Sequence, residues 1–91
     1  MSDILVTHDH NMNHGDARKL AAELASELAE RHHLSHHWDG DTIHFEGIGV
    51  HGQIDVHDTD ISISAKLGWL VRPLRPVIEK EISNVLNAHF A

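Results

Sequence analysis

Eleven of the 91 residues are histidine and none is cysteine, so any side-chain chemistry in this chain rests on imidazoles, carboxylates and hydroxyls. Imidazole is a common ligand for zinc, copper and nickel, which makes a histidine-based transition-metal binder one reading. The spacing gives that reading little geometry. His8 and His10 share a face only if the first strand runs on, and His32 and His36 straddle a helix end. On the polar face of a sheet His44 would oppose Gln53, His51 would lie between Glu46 and Lys66, and His57 would sit near Asp55. No three of these close a site in the sequence, and a lysine beside a ligand repels a cation. Neither a metal nor another cofactor is expected. The histidines read as small polar side chains at solvent-facing positions.

Asp9, His10, Asp16 and Arg18 form the densest polar group, and a histidine at a strand end is able to act as a general acid or base. A simpler role for His10 is to bond the loop backbone or help cap the helix that follows. A second is that His10 or Arg18 contacts the polar end of a small ligand held between helices and sheet. No nucleophile with a paired base stands out among Thr7, Ser26, Ser35, Thr42 and the strand serines. Gly47-x-Gly49-x-x-Gly52 matches a dinucleotide-binding fingerprint by its letters, but it lies between antiparallel strands with no helix after it. No catalytic residue is nominated, and the chain reads as non-catalytic in preference to an enzyme.

The elements that position these residues follow from periodicity. Residues 3–7 are short, apolar and β-branched, a strand signal that the polar stretch 8–13 ends. Asn13 is placed to cap a helix, with Asp16 in its first turn. Ala17, Leu20, Ala21, Leu24, Ala25 and Leu28 then recur at spacings of three and four, and Arg31, His32 and His33 fall in the last turn. From Ser35 the period becomes two. His37-Trp38 leads into a turn at Asp39-Gly40-Asp41, residues 42–46 alternate, and Gly47-Ile48-Gly49 is a second turn. Residues 50–57 and 61–67 form a hairpin about Asp58-Thr59, in which Val56 faces Ile61, Ile54 faces Ile63, Gly52 faces Ala65 and Val50 faces Leu67. Pro73 or Pro76 opens a final helix, whose stripe is Leu74, Val77, Ile78, Ile82, Val85, Leu86 and His89 or Phe90. The predicted fold is α+β, in the order β-α-β-β-β-α, with an antiparallel sheet and two amphipathic helices on its dry face.

Size and charge narrow the function. Ninety-one residues suffice for a single domain over 1–91 with one core, and 41% hydrophobic residues are enough for that core to collapse. The net charge of −7 repels a phosphate backbone, so nucleic acid is not an expected partner. No apolar run is long enough for a transmembrane segment, and the first residues lack the basic start and apolar stretch of an export signal. A cytoplasmic protein is expected. The open face of the sheet also offers a route to a homodimer.

One apolar segment remains. Leu67, Gly68, Trp69, Leu70 and Val71 sit at a strand-to-helix corner, where a tryptophan in a small domain is expected to belong to the core. If Trp69 is instead exposed, Leu67, Gly68, Trp69, Leu70 and Arg72 become candidates for contact with an apolar surface or a partner, with Arg72 and Arg75 near any anionic groups.

These segments together carry a resemblance. The run from His44 through Phe45-Glu46-Gly47-Ile48-Gly49-Val50-His51-Gly52-Gln53-Ile54-Asp55 to Val56, then Lys66-Leu67-Gly68-Trp69-Leu70, then Ile78-Glu79-Lys80-Glu81-Ile82 with Leu86 and Phe90, resembles the polyhydroxyalkanoic acid system proteins. His10 with Ala17-Arg18 and the turn Trp38-Asp39-Gly40-Asp41 extend the likeness over nearly the whole chain. The resemblance implies a small bacterial protein associated with polyester storage. It points to an accessory or binding role at the polyhydroxyalkanoate granule surface, or on a granule-associated protein. The alternatives are an acyl-chain binding protein or enzyme of polyhydroxyalkanoate metabolism, and the metal binder above.

Overall fold

The computed structural model describes residues 3–69 and 71–90; the expectations placed on Leu70 and on the Phe90 side chain lie outside the described residues. In chain order the elements are β1 (Ile4–Asp9), α1 (His14–His32), β2 (Ser35–Asp39), β3 (Thr42–Gly47), β4 (Val50–Val56), β5 (Asp60–Leu67), a 3-10 turn (Arg72–Leu74) and α2 (Arg75–Phe90). The strands form one sheet in the order β1-β5-β4-β3-β2, with each neighbouring pair antiparallel. The α+β class holds, and the sheet has one strand more than the sequence pattern suggested.

The β4–β5 register is the expected one, pairing Val56 with Ile61, Ile54 with Ile63, Gly52 with Ala65 and Val50 with Leu67. It is fixed because a slip of one residue would turn every apolar side chain of β5 into water. Ile61, Ile63, Ala65 and Leu67 are all buried, as are Ile43, Phe45, Ile54, Val56 and Ile4 on the same face. Against them α1 lays a row of alanines four residues apart, Ala17, Ala21, Ala25 and Ala29, all buried, with Leu24 and Leu28 beside them. Such small side chains let the helix lie close over β3 and β4, while α2 covers β1 and brings Ile82, Val85 and Leu86 into the core. Each of these aliphatic side chains adds about 1.5–3 kcal/mol by leaving water.

The ends of α1 are closed by local chemistry. The Asn13 side chain accepts from the Asp16 backbone N–H at 2.8 Å and donates to the Asp16 carboxylate at 3.1 Å. At the other end His33 adopts a left-handed conformation, φ 54°, and the Leu34 N–H donates to the Ala29 carbonyl at 2.9 Å. This reverses the chain into β2. The second helix departs from its expected stripe: Leu74 and Val77 are exposed, and the buried face begins only at Ile82, with Ile78 half-buried before it. The first turns of α2 overhang the sheet and do not pack down on it.

Candidate functional site

The sheet has two ends with different chemistry. At one end lie the β2–β3 and β4–β5 turns together with the start of α1. Here His10 is buried with both ring nitrogens engaged: Met12 N–H donates to Nδ1 at 3.2 Å, and Nε2 lies 2.9 Å from the His57 carbonyl. Because Nδ1 is an acceptor, the proton sits on Nε2, and the ring pins the post-β1 loop to the β4–β5 turn. Arg18 donates to the Gly40 carbonyl at 2.8 Å and pairs with Asp41, while its guanidinium lies 4.2 Å from the centre of the Trp38 ring. His14 Nε2 is 2.9 Å from the same Asp41 carboxylate. The hydrogen bond from His14, joined by that from Arg18, holds the Asp41 carboxyl below its ordinary range, and Asp41 in turn raises the His14 imidazole. These groups join α1 to the hairpin turns. His10 and Arg18 thus bond within the fold at this end, and neither lines the cleft described below.

The open face of the sheet carries His37, His44 and His51, whereas His8 and His36 lie opposite the core residues Ile61 and Phe45 on the helix side. His37 and His44 stack with ring centres 5.4 Å apart, and His44 lies 3.9 Å from Asp39. Beside them Glu46, His51 and Lys66 border a shallow depression of about 420 Å³. Among the described residues, no three His, Asp, Glu or Cys side chains come together in an arrangement fit to hold a metal ion.

The opposite end is apolar. It is built where the β3–β4 turn meets the β5–α2 corner. The Gly68 N–H donates to the Gly49 carbonyl at 2.7 Å, and a Cβ on Gly68 would stand 3.4 Å from the Gly49 backbone. Gly49 itself has φ 74°, a conformation that favours glycine. The Val71 and Arg72 N–H groups both donate to the Gly68 carbonyl, which folds the corner tightly. Asp3 completes it by accepting from the Leu67 N–H at 2.8 Å. That backbone bond, aided by Arg72 and Arg75, lowers the Asp3 carboxyl.

Trp69 follows directly on this corner. It is 78% exposed, so the expectation of a core tryptophan is corrected. Ile48 at the tip of the β3–β4 turn is 100% exposed, and Leu74 and Val77 are 52% and 62% exposed. Arg72 and Arg75 flank them, both exposed. Of the five candidate contact residues, Gly68, Trp69 and Arg72 lie on the surface, whereas Leu67 is 1% exposed and contributes from within the core. Its burial follows from the alternation of β5, which turns residue 67 to the same side as Ile61 and Ile63.

Sequence reasoning did not nominate Ile48, Leu74 or Val77. Ile48 had a signal: an aliphatic residue between two glycines in a tight hairpin has no core within reach. Leu74 and Val77 had none, because they continue a helical stripe whose later members are buried.

Behind this rim the end of α1, the start of α2 and the sheet enclose an open cleft of about 460 Å³, walled mainly by aliphatic and aromatic side chains. Ile48, Leu74 and Val77 stand at its edge, and its polar boundary comprises His32, His33 and Glu81. A seam of charge runs along the two helices above it. His89 lies 2.8 Å from Glu27, Glu27 is 3.1 Å from Arg31, and Arg31 is 3.7 Å from Glu81. The bond from His89 is the main cause of a lowered Glu27 carboxyl. Among the described residues, no helix is long and apolar enough to cross a membrane.

Comparison with known proteins agrees with the resemblance drawn from the motifs. The family described as "Putative polyhydroxyalkanoic acid system protein" matches residues 4–90. No curated protein and no solved structure gives a significant match. The chain belongs to that polyhydroxyalkanoic acid system family.

Proposed function

We propose that this member of the polyhydroxyalkanoic acid system family is a non-catalytic accessory protein that attaches to the surface of polyester granules. The observation that carries the reading is the clustering of exposed apolar side chains at one end of the molecule, with Ile48, Trp69, Leu74 and Val77 around the β3–β4 turn and the β5–α2 corner. A small domain gains nothing in stability by leaving a tryptophan in water, and such patches mark contact surfaces. A hydrophobic polyester would receive these side chains as a core does. Arg72 and Arg75 beside them place positive charge at the boundary with water, in a chain whose net charge is −7. The non-catalytic part of the reading is supported by the roles of His10, whose two ring nitrogens are both engaged by the backbone, and of Arg18, which ties α1 to Gly40 and Asp41.

The test is co-sedimentation of the purified protein with washed granules and with granules stripped of their coat proteins. Attachment to both supports direct contact with the polyester. Attachment to coated granules alone replaces the polymer with a protein partner. Attachment to neither refutes the reading.

A further inference from the structure

Two histidines on the open face of the sheet stand where cross-strand chelation requires them. His37 on β2 and His44 on β3 are direct partners in the antiparallel register, and their rings stack with centres 5.4 Å apart. Side chains at such positions leave the sheet side by side, so the strand pairing itself sets their spacing. His10 and His14 have ring nitrogens committed to the His57 carbonyl and to Asp41. Among the described residues, neither the His37 nor the His44 ring takes part in a hydrogen bond, and the Asp39 carboxylate lies 3.9 Å from His44 Nε2.

The spacing fits one ion. Zinc–nitrogen bonds are about 2.0–2.1 Å long, so two imidazoles on one ion at the tetrahedral angle have ring centres about 5.3 Å apart. The pair is already at that separation, and each ring has only to turn about its Cβ–Cγ bond to present a nitrogen. The surroundings suit a cation. Asp39 lies on the same face two residues from His37, and Glu46 two residues from His44. Lys66 belongs to β5, two strands from β3 and so about 10 Å away. We infer that His37 and His44 chelate one divalent ion of the zinc, nickel and copper group, with water completing its coordination. The class of ion follows from the donors, because imidazole suits these metals whereas calcium and magnesium take oxygen ligands. Two protein ligands hold an ion less firmly than the closed sets of four in structural zinc sites, so it exchanges with solution. The site is separate from the apolar end, whose cleft neither histidine lines.

The experiment is a titration of the full chain with zinc chloride near neutral pH, followed by calorimetry and by the imidazole resonances of all 11 histidines. The His37 and His44 signals are expected to move first and together, at one ion per chain. His37→Asn and His44→Asn are each expected to weaken this site about tenfold, and the double variant little further, because a chelate that loses one arm has lost its advantage. His36→Asn, on the helix side of the same strand, is expected to leave binding unchanged, as is Trp69→Ser. Acidification to about pH 5 is expected to release the ion, since a protonated imidazole cannot ligate. Zinc shifts spread evenly over the histidines would mean an adventitious ion only and overturn the proposal. Native affinity in either single variant would overturn it too, as would a loss in His36→Asn equal to that in His37→Asn. The resonances of the native chain decide the matter if a variant fails to fold.

Discussion

Replacing Trp69 by serine distinguishes a contact residue from a core residue. With 78% of the residue exposed, roughly a fifth is covered by the protein. A tryptophan buries about 200–250 Å² when enclosed, so the covered part is about 40–55 Å². At ~25 cal/mol per Å² its loss costs about 1 kcal/mol. Truncation of an enclosed tryptophan costs about 3–5 kcal/mol. In a domain of this size about 1 kcal/mol moves the melting temperature by about 4–8 °C. The assay is urea unfolding followed by far-UV circular dichroism, with Leu67→Ala as the internal reference. Leu67 is 1% exposed, and its truncation is expected to cost about 2–5 kcal/mol. A Trp69→Ser loss equal to that of Leu67→Ala would refute the claim that the corner turns the indole outward.

Three further outcomes follow from the fold. Asn13→Ala removes the acceptor of the Asp16 N–H and is expected to cost about 1 kcal/mol in urea unfolding; no change would mean that the cap is idle. Gly49→Ala forces a side chain onto φ 74° and is expected to cost about 1–2 kcal/mol, with unchanged stability refuting the turn geometry. The Asp41 cluster makes stability depend on pH at both ends. The Asp41 carboxyl is lowered from 3.8, so its contribution is present above about pH 3.8 and fades as pH falls through the lower folded value. The His14 imidazole is raised from 6.5, so its contribution is complete below about pH 6.5 and is lost as pH rises through the higher folded value. Urea unfolding from pH 4.5 to 9 is expected to show the alkaline loss in the native chain and its reduction in Asp41→Asn, where Asp58, 3.5 Å from His14, still raises the imidazole; an undiminished alkaline loss in the variant would contradict the pairing.

Where the sequence carried local periodicity, the fold was legible. The β4–β5 register, the Asn13 cap and the α1 stripe all rest on neighbours in sequence, and the structure bears them out. The period of two from Ser35 and the turn at Asp39-Gly40-Asp41 marked the β2–β3 hairpin, but Ser35-His36-His37-Trp38-Asp39 has one strong apolar residue, and the predicted order did not count it as a separate strand. The place of β1 beside β5 is a pairing between distant segments, which no local pattern specifies. The site was half legible. The β5–α2 corner was identified from its composition, but the direction of Trp69 depends on the close approach of Gly68 to Gly49, a contact between two turns. The cleft at the apolar end carried no local signal, because it forms where the start of α2 stands away from the sheet, far from the His10 and Arg18 contacts offered as one alternative. Leu74 and Val77 look like core in the sequence for that reason.

The most direct test of granule attachment compares the native chain with Trp69→Ser and with the double variant Trp69→Ser, Val77→Ser on stripped polyester granules. All three proteins are first shown to unfold cooperatively. Stepwise loss of sedimented protein, with the double variant left in the supernatant, is the predicted result. Equal sedimentation of all three would show that the apolar end does not hold the granule.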